Sequence, residues 1–315
     1  MSKNVGLAWL ALACPLFTWA QTTSAQGTPA QILVTVGHHY GHEPPVLTRD
    51  DLTVTERYEP LTVTNLTPLR GDRGGLELFL LVDNCSNCEP GPKFEELRRF
   101  IGSQPSTTAV GVAYIENGHM HVSENPTPDH DRAVKALNTP AGSKPSSPFA
   151  ALTELIHAWG PGSTIRRAVL MISNGIDPES KDALPNPSTE AAIEAAQRAG
   201  VTIFAIYHPS ADYLASDFAK LDMGQLKLAH VAVETGGEAY FLGFGPLPSL
   251  APFLADIVDH LANQYLLEFL ANPGEGSGEL QEITVKSKLP DLELMAPDKV
   301  LISGPPGPAE RGKRP

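Results

Sequence analysis

The stretch Leu76-Glu-Leu-Phe-Leu-Leu-Val-Asp83-Asn-Cys85-Ser-Asn87-Cys88 is an apolar run that stops abruptly at a polar cluster. A short run of Leu, Phe and Val has the composition of a strand buried on both faces, and the residues just past its carboxyl end sit where open α/β sheets place their ligands. Asp83 to Cys88 is therefore the first candidate site.

Downstream of this run, strands expected near 76–84, 109–116, 166–173, 201–207 and 239–243 alternate with helices near 92–103, 129–137, 148–159, 188–199, 224–236 and 247–265. That alternation predicts an α/β fold with a mostly parallel sheet covered on both faces, and a short antiparallel edge strand is expected near 119–123. Gly200, after Ala195-Ala-Gln-Arg-Ala199, reads as a helix stop, and Ser188 as a helix cap. Upstream, Ile32-Leu-Val-Thr-Val36, Leu52-Thr-Val-Thr55 and Leu61-Thr-Val-Thr64 have the β-branched alternation of strands. About 40 residues of strand cannot bury a core alone, so they need a partner. It is expected in Glu279-Leu-Gln-Glu-Ile-Thr-Val-Lys286, Leu292-Glu-Leu-Met and Val300-Leu-Ile302, which would pair with the upstream strands into one small β domain built from both flanks.

The strand ending in Asp83 carries a resemblance. A hydrophobic strand followed by Asp-x-Ser-x-Ser opens the von Willebrand factor type A domain; here the five residues are Asp83-Asn84-Cys85-Ser86-Asn87, so the Asp matches and both Ser positions differ. The layout is also similar to that of secreted bacterial proteins, common in Acidobacteria, that hold a type A domain between two β segments. That likeness rests on Leu47-Thr-Arg-Asp-Asp51-Leu-Thr-Val, Asn263-Gln-Tyr265-Leu and Gln281-Glu-Ile-Thr-Val285. It implies a Rossmann-like domain with a central, mostly parallel sheet. The expected division is a signal peptide over 1–25, an N-terminal β segment over 26–75, the type A domain over 76–270, a C-terminal β segment over 271–304 and a disordered tail over 305–315.

Type A domains carry a metal-ion-dependent adhesion site, which holds Mg²⁺ in octahedral oxygen coordination and leaves one position for a partner's carboxylate. Mapped onto this chain, Asp83 keeps the first acid, Cys85 and Asn87 take the hydroxyl positions, Ser147 takes the Thr position and Asn174 takes the second Asp. Asn174 removes one of two negative charges, and a thiol at Cys85 is a soft ligand that suits Mg²⁺ badly. The site is thus expected to be degenerate. Asp83, Asn87 and Ser147 would hold Mg²⁺ weakly, if at all, and no cofactor is required.

Bulk properties narrow the partners. Of the 315 residues, 42% are hydrophobic and 19% charged, which is ordinary for a globular protein able to bury a sizeable core. A net charge of −13 with no basic cluster argues against nucleic acid or an anionic membrane as the main partner. Met1-Ser-Lys3-Asn, an apolar segment from Val5 to Ala20 and Gln21-Thr-Thr-Ser-Ala-Gln26 have the three parts of a secretory signal, with cleavage expected after Ala20 or Ala25. The apolar segment is shorter than the roughly 20 residues a bilayer requires, so no stable membrane span is expected after cleavage. Cys14 could be a lipid attachment site, but Ala11 stands where such motifs usually have Leu. The expected location is periplasmic or secreted.

Removing the signal leaves Cys85 and Cys88, and an even count in an oxidising compartment suggests a disulfide. Closing so short a loop would constrain the unfolded chain by only about 2 kcal/mol, so the bond would mainly fix the loop's shape. A strand followed by Cys-x-x-Cys also fits thioredoxin-like redox sites, but Glu89-Pro90-Gly91-Pro92 delays the helix and leaves the sulfurs away from its first turn.

Other features take plainer readings. His38-His-Tyr-Gly-His42 could chelate a metal, yet lies in a Gly- and Pro-rich turn. Ser146, Ser147, His157 and His208 form no recognisable nucleophile constellation, and Gly236-Gly237 has no following Lys-Ser/Thr to make a phosphate loop. The expected function is a non-catalytic interaction module that contacts a protein or other macromolecule through the loops carrying Asp83, Cys85, Asn87, Ser147 and Asn174. The alternative is a periplasmic thiol-disulfide oxidoreductase using Cys85 and Cys88.

Overall fold

The computed structural model describes residues 27–37, 45–83, 91–138, 147–160, 166–178, 183–209, 218–245, 248–272, 278–290 and 292–302. The signal segment, His38 to His42, Asn84 to Cys88, Ser146 and the tail lie outside the described residues.

The central sheet is built from β4 (Leu76–Asp83), β5 (Thr108–Glu116), β6 (His119–Thr127), β7 (Arg166–Ser173), β8 (Val201–Tyr207) and β9 (Ala239–Tyr240). Their order is β6-β5-β4-β7-β8-β9, all parallel except β6, which runs antiparallel to β5 at one edge. Strand alternation divides the core. Leu76, Leu78, Leu80 and Val82 of β4 point to one face and Phe79 and Leu81 to the other, so the unbroken apolar run is needed to fill both.

Helices α1 (Gly91–Gly102), α2 (His130–Ala136) and α6 (Ala251–Ala262) cover the first face; α3 (Pro148–Ala158), α4 (Pro187–Ala199) and α5 (Phe218–Glu234) cover the second. Ser147 caps α3 ahead of Pro148, and its hydroxyl accepts from Ala150 N at 3.3 Å. Asn186, not Ser188, caps α4, accepting from Ser188 N. Gly200 ends α4 in the left-handed conformation, as its position predicts.

A second six-stranded sheet has the order β12-β2-β3-β10-β1-β13. Its strands are β1 (Thr28–Val36), β2 (Leu52–Glu56), β3 (Glu59–Pro68), β10 (Gln264–Ala271), β12 (Thr284–Ser287) and β13 (Leu294–Met295), while β11 (Glu279–Glu282) pairs with β14 (Lys299–Ile302). Upstream and downstream segments thus hydrogen-bond to each other, over a core containing Val34, Val54, Leu267 and Phe269. The helix expected to reach 265 ends at Ala262, and the chain re-enters as β10 between β1 and β3.

Arg166, at the start of β7, links the two sheets. Its buried guanidinium donates to Gln264 Oε1 at 2.9 Å, to Gly74 O at 3.0 Å and to the carbonyls of Leu69 and Leu261. Five fixed donors suit such a convergence of acceptors, and burial lowers the guanidinium pKa to about 10.

Candidate functional site

The carboxyl ends of β4, β7 and β8 and the amino ends of α1, α3 and α4 meet at the top of the central sheet. Asp83 closes β4. Its Oδ2 accepts from Ser173 Oγ, at the end of neighbouring β7, at 2.7 Å, and no other hydrogen bond to its carboxylate is found among the described residues. Burial pushes the Asp83 carboxyl up to about 6 against the opposing effect of the Ser173 hydrogen bond.

The chain then turns through Asn174, Gly175, Ile176 and Asp177. Asn174 Oδ1 accepts from Ile176 N at 2.8 Å, and Ser173 Oγ from Gly175 N at 3.1 Å, so two side chains define the turn. Gly175 has φ +67° and lies against Gly224 of α5; a Cβ on it would stand 2.2 Å from Gly224 O. Only glycine allows both the conformation and the contact. The turn delivers Asp177, 2% exposed, so that its Oδ2 accepts from Ser147 Oγ and from Ser188 Oγ, each at 2.8 Å.

Of the residues expected at the site, Asp83, Ser147 and Asn174 lie at this end of the sheet. Asn174 turns its side-chain oxygen to the backbone, and the acid that meets Ser147 is Asp177, three residues further on. Cys85, Asn87 and Cys88 lie outside the described residues. Asp177 is the residue that sequence reasoning missed. An acid just past a strand end was the available signal, but its direction depends on a turn held by Gly224 from a distant helix.

A cationic element sits beside them. Lys93 of α1 approaches Nε2 of His208, at the end of β8, to 3.4 Å. Burial, then the Lys93 charge, push the His208 imidazole down to about 4, so it is neutral at physiological pH and its Nε2 accepts from the ammonium. The face therefore presents carboxylates around β4 and β7 and an ammonium beside β8. For a hard cation it offers the second oxygen of Asp83 and the Ser147 hydroxyl oxygen. An incompletely bonded carboxylate of this kind fits such an ion, while the bonds already made by Ser147 and Asn174 limit the ligand number.

Comparisons with protein-family models and with curated proteins found no match. Among solved structures, the chain is similar to a von Willebrand factor type A protein from Catenulispora acidiphila at 10% identity, over 89% of this chain and 74% of that one, with a TM-score of 0.42. It is similar to the vWF domain of the type V pili tip protein Mfa5 from Porphyromonas gingivalis at 11% identity, over 59% and 94%, with a TM-score of 0.42. A third is proximal thread matrix protein 1 from the mussel byssus, described with a zinc-occupied adhesion-site motif. It shares 14% identity over 61% of this chain and 47% of that one, with a TM-score of 0.46.

Proposed function

We propose that the chain is an exported, non-catalytic interaction module that binds a protein or other macromolecule through the top of its central sheet, with the flanking strands as a separate β platform. The observation that carries this reading is Asp83. A carboxylate at the end of the central strand, held by one hydroxyl and bordered by the Ser147–Asp177–Ser188 cluster, is placed to meet a partner's charge directly or through a cation.

In the metal-dependent form, Asp83 and Ser147 hold Mg²⁺ weakly, with Asn87 as a further oxygen donor, and the ion supplies a coordination position for a partner carboxylate. In the metal-free form Lys93 supplies the positive charge. A Cys85–Cys88 disulfide would shape the loop between Asp83 and α1. Among the described residues no helix is long and apolar enough to cross a membrane.

Thermal unfolding of the full chain in EDTA, then in 10 mM Mg²⁺, Mn²⁺ or Ca²⁺, tests the metal-dependent form. For a site of millimolar affinity the stabilisation is about 1.4 kcal/mol, a rise of roughly 2–4 °C, and Asp83→Ala abolishes it. A wild-type midpoint that ignores all three ions sinks that form. Capture of envelope proteins by wild type and by Asp83→Ala and Lys93→Glu variants tests the face itself, and unchanged capture by both variants removes it.

A further inference from the structure

Away from the top of the sheet, four polar side chains converge beside edge strand β9. Glu238 and Tyr240 come from the strand and its approach; Asp256 and His260 lie one turn apart on α6. Tyr240 Oη stands 2.8 Å from Asp256 Oδ2, 3.2 Å from His260 Nδ1 and 3.4 Å from Glu238 Oε2. His260 Nδ1 is 3.7 Å from each of those carboxylate oxygens.

We propose that Glu238, Tyr240, Asp256 and His260 form a tetrahedral divalent-cation site suited to Zn²⁺. Donors at about 2.0–2.2 Å from an ion stand roughly 3.3–3.6 Å apart in a tetrahedron, and the five separations bracket that edge. The sixth, between the two carboxylates, is within 4.8 Å, which a small closing movement of the half-exposed Glu238 brings into range. One imidazole nitrogen and three oxygens are a borderline donor set that Zn²⁺ accepts and Mg²⁺ does not favour.

Two further observations point to a cation. The first is an excess of negative charge. Two carboxylates face one phenol, and Glu293 adds a further negative charge beside Glu238. The second is rigidity. The His260 side chain is 5% exposed and its ring stacks on Phe204 at 6.2 Å and 13°, while Tyr240 packs on Phe253 at 5.4 Å. The rings are held before any ion arrives, so little ordering remains at binding. Glu238, Asp256 and His260 supply three ligand atoms, and the Tyr240 oxygen stands in the fourth position. The ion clamps α6 to β9, next to the segment where Glu293 O accepts from Gly37 N of the flanking strands.

The test is competition for Zn²⁺ between the EDTA-stripped, desalted full chain and a chromophoric chelator, with Co²⁺ absorption reporting the geometry. The expected result is one competitive site with tetrahedral Co²⁺ bands, weakened at least about tenfold in Glu238→Gln and in Asp256→Asn and unchanged in Asp83→Asn. Glu238 is half-exposed, so Glu238→Gln keeps the test open if Asp256→Asn fails to fold. Absence of Zn²⁺ binding by the folded wild type overturns the proposal, as does binding that Glu238→Gln leaves intact. Binding lost only in Asp83→Asn overturns it too, by placing the ion at the top of the sheet.

Discussion

Two clusters of acids occupy the central sheet, and they are built on opposite terms. At the top, each described carboxylate meets a hydroxyl of its own: Ser173 for Asp83, and both Ser147 and Ser188 for Asp177. At the edge, Glu238 and Asp256 share one phenol, and burial, then Asp256 and Glu293, push the Glu238 carboxyl up to about 7. A buried charge is tolerated when hydrogen bonds replace its lost water; otherwise it takes up a proton or draws in a cation. At the top each carboxylate is matched by a hydroxyl, with the second Asp83 oxygen left to offer; at the edge two carboxylates, 44% and 43% exposed, keep part of their water and crowd one phenol.

Replacing one acid in each place should give opposite signs. Asp177→Ala strips the acceptor from two serine hydroxyls and frees the cap of α3, so urea unfolding should show a loss of about 2–4 kcal/mol. A loss under 1 kcal/mol would mean that the top cluster is not the matched network described above. Glu238→Gln, in EDTA at pH 8, removes a charge that the metal-free protein holds at a cost. Since the Glu238 side chain is 44% exposed, solvent screening reduces the effect, and the expected result is a stabilisation of about 0.5–1 kcal/mol. Destabilisation by that change would erase the contrast between the clusters.

The sheet was largely legible because its strands are continuous apolar runs. The strands expected at 166–173 and 201–207 have those bounds, because each centres on an unbroken apolar run, Ala168 to Ile172 and Ile203 to Tyr207, buried on both faces. The switch from α6 to β10 was not. Leu261-Ala-Asn-Gln-Tyr-Leu-Leu keeps apolar residues at helical as well as strand spacing, and what ends the helix is the pairing of β10 with β1 and β3, more than 190 residues away in the chain.

The sites divide in the same way. Asp83 was readable as the end of an apolar strand, while Ser147 and Asn174 were named through the type A resemblance; the fold brings all three to the same end of the sheet. The direction of Asp177 is set by the Gly175–Gly224 contact, which leaves no local mark. At the edge, Asp256 and His260 stand at i, i+4 on one helix face, a spacing too common to mark a site by itself. Their meeting with Glu238 and Tyr240 required the register of β9 on β8.

The finest distinction lies within the top cluster, between Asp83 and His208, whose titrations oppose each other. The folded state holds the Asp83 carboxyl near 6, above its unfolded value of 3.8, so from pH 4 to 6 the folded chain binds the extra proton and stability falls as pH rises. The folded state holds His208 near 4, below its unfolded value of 6.5, so over the same range the unfolded chain binds the extra proton and stability rises with pH. Each limiting slope is about 1.4 kcal/mol per pH unit, and partial exposure of both groups should reduce it to roughly 0.5. In EDTA the two cancel in the wild type. Asp83→Asn should leave stability that climbs between pH 4 and 6, and His208→Gln stability that declines over the same range, both measurable by urea midpoints at half-unit steps. Parallel slopes in the two variants would show that burial at the strand ends does not act on these groups as their positions require, and Asp83 would then be an ordinary solvated carboxylate rather than one held ready for a partner's charge.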